Sequence, residues 1–237
     1  MKNIFLALVF IFLICCKDKK IITHNEIKPN IEENLQPKDI LDEVFIDSLH
    51  IGIKGKFKID LKKFRNNDSV YVKINFFEKI NSKWIVKQQF AFPKDGISGC
   101  DVELKDFNND GFNDMTFQSN IAARGSNIVR KLFVFEKQKG EMTYIKNSEN
   151  FPNIRYNKKL NCIDAFMVFG GSQTVFMKIR SDTLWAFAKV NLTDRIIITE
   201  IDAHGKETEL RNDNYDTEDS YVRFSNYKPL TKNESNY

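Results

Sequence analysis

Histidine is nearly missing. Three residues, His24, His50 and His204, stand in a chain of 237, which leaves little room for a multi-histidine metal catalyst. Five prolines and ten glycines are too few for a collagen or a low-complexity chain. Neither sign of charge dominates: 36 Lys and Arg face 32 Asp and Glu, a formal net charge of +4. Tracking a nucleic-acid backbone asks for clustered positive charge instead, so no nucleic-acid partner is expected. Enzyme signatures are lacking as well, with no G-x-S-x-G elbow, no phosphate-binding G-x-x-x-x-G-K-[ST] loop and no H-E-x-x-H pair. Ser172 follows Gly170-Gly171 without the spacing that exposes a nucleophile, and His204 sits in a His-Gly turn with no partner motif. The chain reads as a non-enzyme. Paired carboxylates from distant strands leave no local signature, which keeps glycan hydrolysis as an alternative. Phenylalanine is what the chain has in plenty. Its 21 copies, in a chain 42% hydrophobic, supply a sizeable core for one domain with tails.

The first twenty residues carry an address. Met1-Lys2-Asn3 is a short positive start, and Ile4 to Ile14 is an unbroken apolar run. Eleven residues fall well short of the ~20 needed to span a bilayer and fit the core of a secretory signal. Leu13-Ile14-Cys15-Cys16 then resembles a bacterial lipobox, with Cys16 as the lipidated cysteine and Cys15 in the small-residue slot before it. The resemblance implies a signal peptide over 1–15 and an acylated Cys16 that anchors the chain to the bacterial cell envelope. Residues 16–47 are rich in Lys, Asp, Glu and Asn, with Pro29 and Pro37, and read as anchor and flexible tether. The stretch from Pro37 to Leu49 reads as holding one short helical turn. With two cysteines spent in the lipobox, Cys100 and Cys162 remain. In an exported domain they are expected to form a disulfide.

From residue 49 the dominant period is two, the mark of half-buried strands. Ile51, Ile53, Phe57, Ile59 and Leu61 alternate with lysines and Asp60, and Val70, Val72, Ile74 and Phe76 repeat the pattern. Trp84, Val86, Phe90 and Phe92 form a third stripe, in which Trp84, like Trp185 later, reads as core packing. Further runs are 132–136, 142–146, 163–169, 174–180, 183–190 and 195–202, separated by short polar turns such as Lys139-Gly140 and Ser181-Asp182. Hairpin after hairpin makes an antiparallel meander. The expected class is therefore all-β, propeller-like or a β-sandwich, over residues 48–227, with 228–237 a frayed tail. At ~40–45 residues per blade this length would hold about four blades. The lysines 54, 56 and 58 read as a solvated or edge-protecting face, with contact to anionic envelope polymers as the other reading. Asp213, Asp216, Glu218 and Asp219 read as a solvated acidic loop.

One motif carries chemistry. Residues 106–114, DFNNDGFND, spell D-x-N-x-D-G-x-x-D. Calcium takes 6–8 oxygen ligands from converging carboxylates, amides and carbonyls. Asp106, Asn108 and Asp110 present such oxygens at alternate positions, Phe112 offers its carbonyl, and Asp114 closes the loop. Gly111 permits the sharp turn. The helical calcium loop needs a Glu at the twelfth position, where this chain has Phe117, and the flanks read as strands. A β-hairpin calcium loop is expected. The nonapeptide resembles the calcium loops of FG-GAP and VCBS-type repeats, here present once. The calcium loop, the hairpin after it and Phe169-Gly170-Gly171-Ser172 also resemble secreted bacterial lipoproteins that include immunity proteins against peptidoglycan hydrolases.

These readings converge on an envelope-anchored, calcium-binding lipoprotein. It is expected to act as a protein-binding module, of which an immunity protein inhibiting a secreted peptidoglycan hydrolase is the sharpest form. An accessory lipoprotein of an envelope assembly, or a small calcium-dependent glycan hydrolase, is the alternative.

Overall fold

The computed structural model describes residues 39–215 and 221–228. The expected signal peptide over 1–15, Cys16, the tether as far as residue 38, and residues 229–237 lie outside the described residues.

Among the described residues fourteen strands make three antiparallel sheets, and within each sheet every strand bonds to its neighbour in sequence. The first sheet holds β1 (Ile40–Asp47), β2 (Phe57–Arg65), β3 (Val70–Ile80) and β4 (Lys83–Pro93). The second holds β5 (Glu103–Lys105), β6 (Asp114–Ala122), β7 (Asn127–Glu136) and β8 (Glu141–Ile145). The third begins with β9 (Arg155–Asn157), β10 (Cys162–Val168) and β11 (Ser172–Arg180). It continues through β12 (Thr183–Leu192), β13 (Arg195–Ile201) and β14 (Glu207–Asn214). Among the described residues no barrel closes and the helical content is two single 3₁₀ turns, Ala123–Gly125 and Ser148–Asn150. The protein is all-β. Its sheets number three, of four, four and six strands, where the length allowed about four blades of four. The extra strands of the third sheet absorb the difference.

Local chemistry explains the hairpins. β3 and β4 are joined by Asn81 and Ser82, both at positive φ (48° and 64°), the backbone that matches the twist of the flanking strands in a two-residue turn. Asparagine adopts it readily because its short side chain bonds nearby backbone.

Three clusters of buried side chains lie against the sheets, and β7 contributes to two of them. Phe133 and Phe135 join Phe57, Ile59, Ile74 and Phe76 in a first cluster. Leu132 and Val134, on the opposite face of the strand, join Ile163, Val175, Met177 and Leu184 in a second. That double burial is why 132–135 is an unbroken apolar run rather than an alternating one. A third cluster sets Phe176, Ala188, Val190 and Ile198 against Val222 and Phe224 of the C-terminal segment. The first cluster is aromatic: the rings of Phe57 and Phe76 stack at 5.2 Å, and Phe57 meets Phe135 edge-on at 5.1 Å.

Several expectations need correcting. Residues 40–47, assigned to the tether and to a helical turn, form β1, paired with β2 from Ile40–Arg65 to Asp47–Ile59. Only Phe45 of this strand packs on the first cluster, while Ile40, Leu41, Val44 and Ile46 stay exposed; the acidic residues between them hid the period of two. Trp84 and Trp185 are in none of the three clusters. Cys100 and Cys162 are free thiols. Cys100 is buried in the first cluster and Cys162 in the third, so each is used as a small core residue. Burial pushes both thiols up to about 12, helped by the nearby charges of Glu43 and Asp164 respectively. Asp213 belongs to β14, opposite Ile196, whereas Asp216, Glu218 and Asp219 lie outside the described residues.

Candidate metal-binding loop

The nonapeptide forms the connection between β5 and β6. Its two phenylalanines settle in different cores. Phe107, 2% exposed, belongs to the second cluster, and Phe112 packs on the first with its ring 5.8 Å from that of Phe135. The loop is thus pinned to both faces of the second sheet. A third fastening reaches the first sheet's β1–β2 connection, where Ile51 bridges Asn113 and Asn113 Nδ2 donates to the His50 carbonyl at 3.1 Å.

The polar side chains fold the loop around themselves. Asp106 accepts from Asp110 N–H at 3.2 Å through one oxygen and from Gly111 N–H at 2.8 Å through the other. Asn108 Oδ1 also accepts from Asp110 N–H, at 3.1 Å. Asp110 accepts from Phe112 N–H at 2.9 Å and from the Asn108 amide at 3.0 Å. Asn109 and Gly111 supply the positive φ angles, 61° and 88°, that let the backbone coil this tightly. Asp106 and Asn108 are half-buried and Asp110 is exposed.

Asp114 stands apart. It is fully buried, and its carboxylate turns into the sheet, accepting from Phe107 N–H at 2.8 Å and from Phe135 N–H at 2.9 Å. It clamps the start of the loop to the strand that lines both cores. Burial pushes its carboxyl up to about 7; the two N–H bonds work against that rise, and the charges of Asp110 and Asp106 add to it. A buried carboxylate with two like charges for neighbours is costly unless it binds a proton or a cation.

The structure therefore brings Asp106, Asn108, Asp110 and the Phe112 backbone together in one loop, and sets Asp114 beneath them at the root of β6. Among the described residues no three His, Cys, Asp or Glu side chains converge as a ready-made metal cluster. The donor set includes an amide and a main-chain carbonyl besides carboxylates, all oxygens, and oxygen donors suit a hard cation. Sequence reasoning placed the five candidate ligands in one motif and missed the fastening role of Phe107 and Phe112. The signal was available: aromatic residues at the second and seventh loop positions have no reason to sit in a solvated turn.

A second polar cluster lies nearby. Arg130, 4% exposed, donates to Thr116 at 3.1 Å, to the Asp101 carboxylate at 2.8 Å and to Glu103 at 2.9 Å. All its charge is matched locally, so it holds β6, β7 and the approach to β5 together and exposes no reactive group.

No family model and no curated protein matches this chain. Among solved structures, one described as a Xanthomonas type IV secretion system related protein is similar at 12% identity and a TM-score of 0.44, covering 73% of this chain and 93% of that one.

Proposed function

We propose that this protein is a calcium-stabilised binding module of the bacterial cell envelope, held there by an acylated Cys16 and docking a protein partner. Inhibition of a secreted peptidoglycan hydrolase is the sharpest form of that role. The observation that carries the calcium reading is the buried Asp114 carboxylate beneath Asp106 and Asp110, in a loop whose backbone already wraps those two side chains. Asp106, Asn108, Asp110 and the Phe112 carbonyl would hold the ion. Asp114 would supply its negative charge from below.

In this reading calcium does no chemistry. It fixes the loop to both cores and makes a rigid edge for a partner to meet. The envelope location rests on the resemblance of Leu13 to Cys16 to a lipobox, followed by a polar stretch long enough to act as a tether.

The test is co-purification of the full chain from membranes, with and without chelator. A single partner retained in calcium and lost in chelator, with Asp110→Ala failing to retain it at any calcium level, supports the proposal. Recovery of the same proteins in both conditions would remove calcium from it. A Cys16→Ser chain still acylated and membrane-bound would remove the anchor.

A further inference from the structure

Lysines and aromatic rings share the outward face of the first sheet. Alternation along β2 buries Phe57, Ile59 and Leu61 and turns Lys58, Asp60, Lys62 and Phe64 the other way. The register then sets Lys62 opposite Lys73, Asp60 opposite Asn75 and Lys58 opposite Phe77. On β4, Gln89 stands beside Asn75, Val86 beside Phe77 and Trp84 beside Lys79. On β1, Val44 and Ile46 stand beside Lys62 and Asp60, 46% and 58% exposed.

Three features set this face apart from a merely solvated one. First, its positive charge is only partly compensated. Like charges directly opposite on neighbouring strands destabilise a sheet, yet Lys62 faces Lys73. Four lysines are answered by Asp60, 3.0 Å from Lys62, and at the rim by Asp39, which accepts from the Tyr71 hydroxyl. Second, the rings stay half-buried on this face and are paired with cations. Lys58 Nζ lies 4.0 Å from the Phe77 centroid and 5.3 Å from that of Trp84, and Lys79 lies 5.4 Å from Trp84. Lys73 lies 5.3 Å from both Phe64 and Tyr71, which stack at 5.4 Å. Third, neutral hydrogen-bonding groups fill the middle. Gln89 donates to Asn75 at 2.8 Å, a bond that leaves the Asn75 nitrogen as a donor and the Gln89 oxygen as an acceptor.

We infer that this face binds an acidic polysaccharide. The lysines pair with its carboxylates, the rings of Trp84 and Phe77 stack on sugar faces, and Asn75 and Gln89 meet hydroxyls between them. The mixed lining favours such a polymer over nucleic acid: rings and neutral amides interrupt the lysines, whereas tracking a phosphate backbone asks for closely clustered positive charge. The inference stands on this face alone and does not depend on the calcium loop.

The test is native electrophoresis of the full chain in gels containing polygalacturonate, with dextran as the uncharged polymer. Retardation is expected in polygalacturonate and not in dextran, weakening as salt is added. The Lys58→Gln, Lys73→Gln double variant should bind about tenfold more weakly, Trp84→Ala should weaken it further, and Lys58→Arg with Lys73→Arg should retain binding. Unchanged retardation in the glutamine variant, or equal retardation in dextran, overturns the inference. So does a face that ignores polygalacturonate but captures oligothymidylate or phosphatidylglycerol vesicles in a way the glutamine variant abolishes. Calcium-dependent melting measured on the same variants should not change, which separates failure here from failure of the calcium reading.

Discussion

Removing calcium should leave a protein that becomes more stable as it is acidified from pH 8 to pH 5. The cause is Asp114. Its folded pKa, about 7, lies above the ~3.9 of an unfolded aspartate, so the folded chain holds the proton more tightly. A raised folded pKa contributes stability that is complete below the unfolded value and is lost as pH rises through the folded one. Integrating between pH 8 and pH 5 gives about 2.5 kcal/mol, an upper bound that corresponds to a rise in Tm of roughly 5–10 °C for a domain of this size. The lowered carboxylates act in another window. Asp95, held at about 2 by the Ser98 and Ile97 N–H groups, the Ser98 hydroxyl and the Lys94 ammonium against the cost of its burial, loses its contribution only below about pH 4. Calcium should reverse the profile, because the cation takes the place of the proton. Its stabilisation, roughly 2.7 kcal/mol at a hundredfold excess over Kd, should be largest at pH 8 and shrink toward pH 5. Calorimetry or near-ultraviolet circular dichroism in chelator and in millimolar calcium reads both curves. Asp114→Asn should flatten the chelator curve. It also forfeits one of the two N–H bonds from Phe107 and Phe135, at about 1–3 kcal/mol. A chelator curve that falls steadily from pH 8 to pH 5, together with a calcium response independent of pH, would refute the reasoning.

Other outcomes follow from the packing. Both thiols of the folded protein should resist a disulfide-exchange reagent and react only on unfolding, as burial and the pKa of about 12 require; peptide mapping without reductant should recover Cys100 and Cys162 unlinked. Phe135→Ala should cost about 3–5 kcal/mol by denaturant titration, since its ring meets Phe57, Phe76 and Phe112. Gly171→Ala should lower Tm by several degrees. A Cβ there would overlap the Leu192 carbonyl oxygen and come within 2.9 Å of Thr193 Cγ2, an overpacking worth about 1–3 kcal/mol.

Much of this fold is written in a period of two. The strands around Ile59, Ile74, Phe90 and Val190 announce themselves because one side of each is apolar. The edges do not. β14, ETELRNDN, has seven of its eight residues exposed and the other half-buried, so it carries no apolar face to read. β1 shows four apolar side chains to solvent and interleaves them with acids. The cysteine pairing failed for a different reason: spacing along the chain says nothing about which side of a sheet a residue will occupy, and Cys100 and Cys162 belong to different cores. In the loop, residue types at alternate positions named the oxygens, but the inward turn of Asp114 depends on Phe135 N–H, 21 residues away.

The double-sided burial of β7 has a consequence for how the chain acquires its structure. Phe133 and Phe135 need β2 and β3, already made when β7 appears, but Leu132 and Val134, though joined by Phe107 and Ile145, still lack Ile163, Val175, Met177 and Leu184 of β10 to β12. An intermediate that stops after the second sheet therefore presents a bare apolar flank, and a fragment ending near residue 150 should aggregate rather than fold. Completion waits on contacts of long sequence separation, which slow folding. The three sheets should consequently melt in one cooperative transition, with hydrogen exchange at β7 protected to the full unfolding free energy.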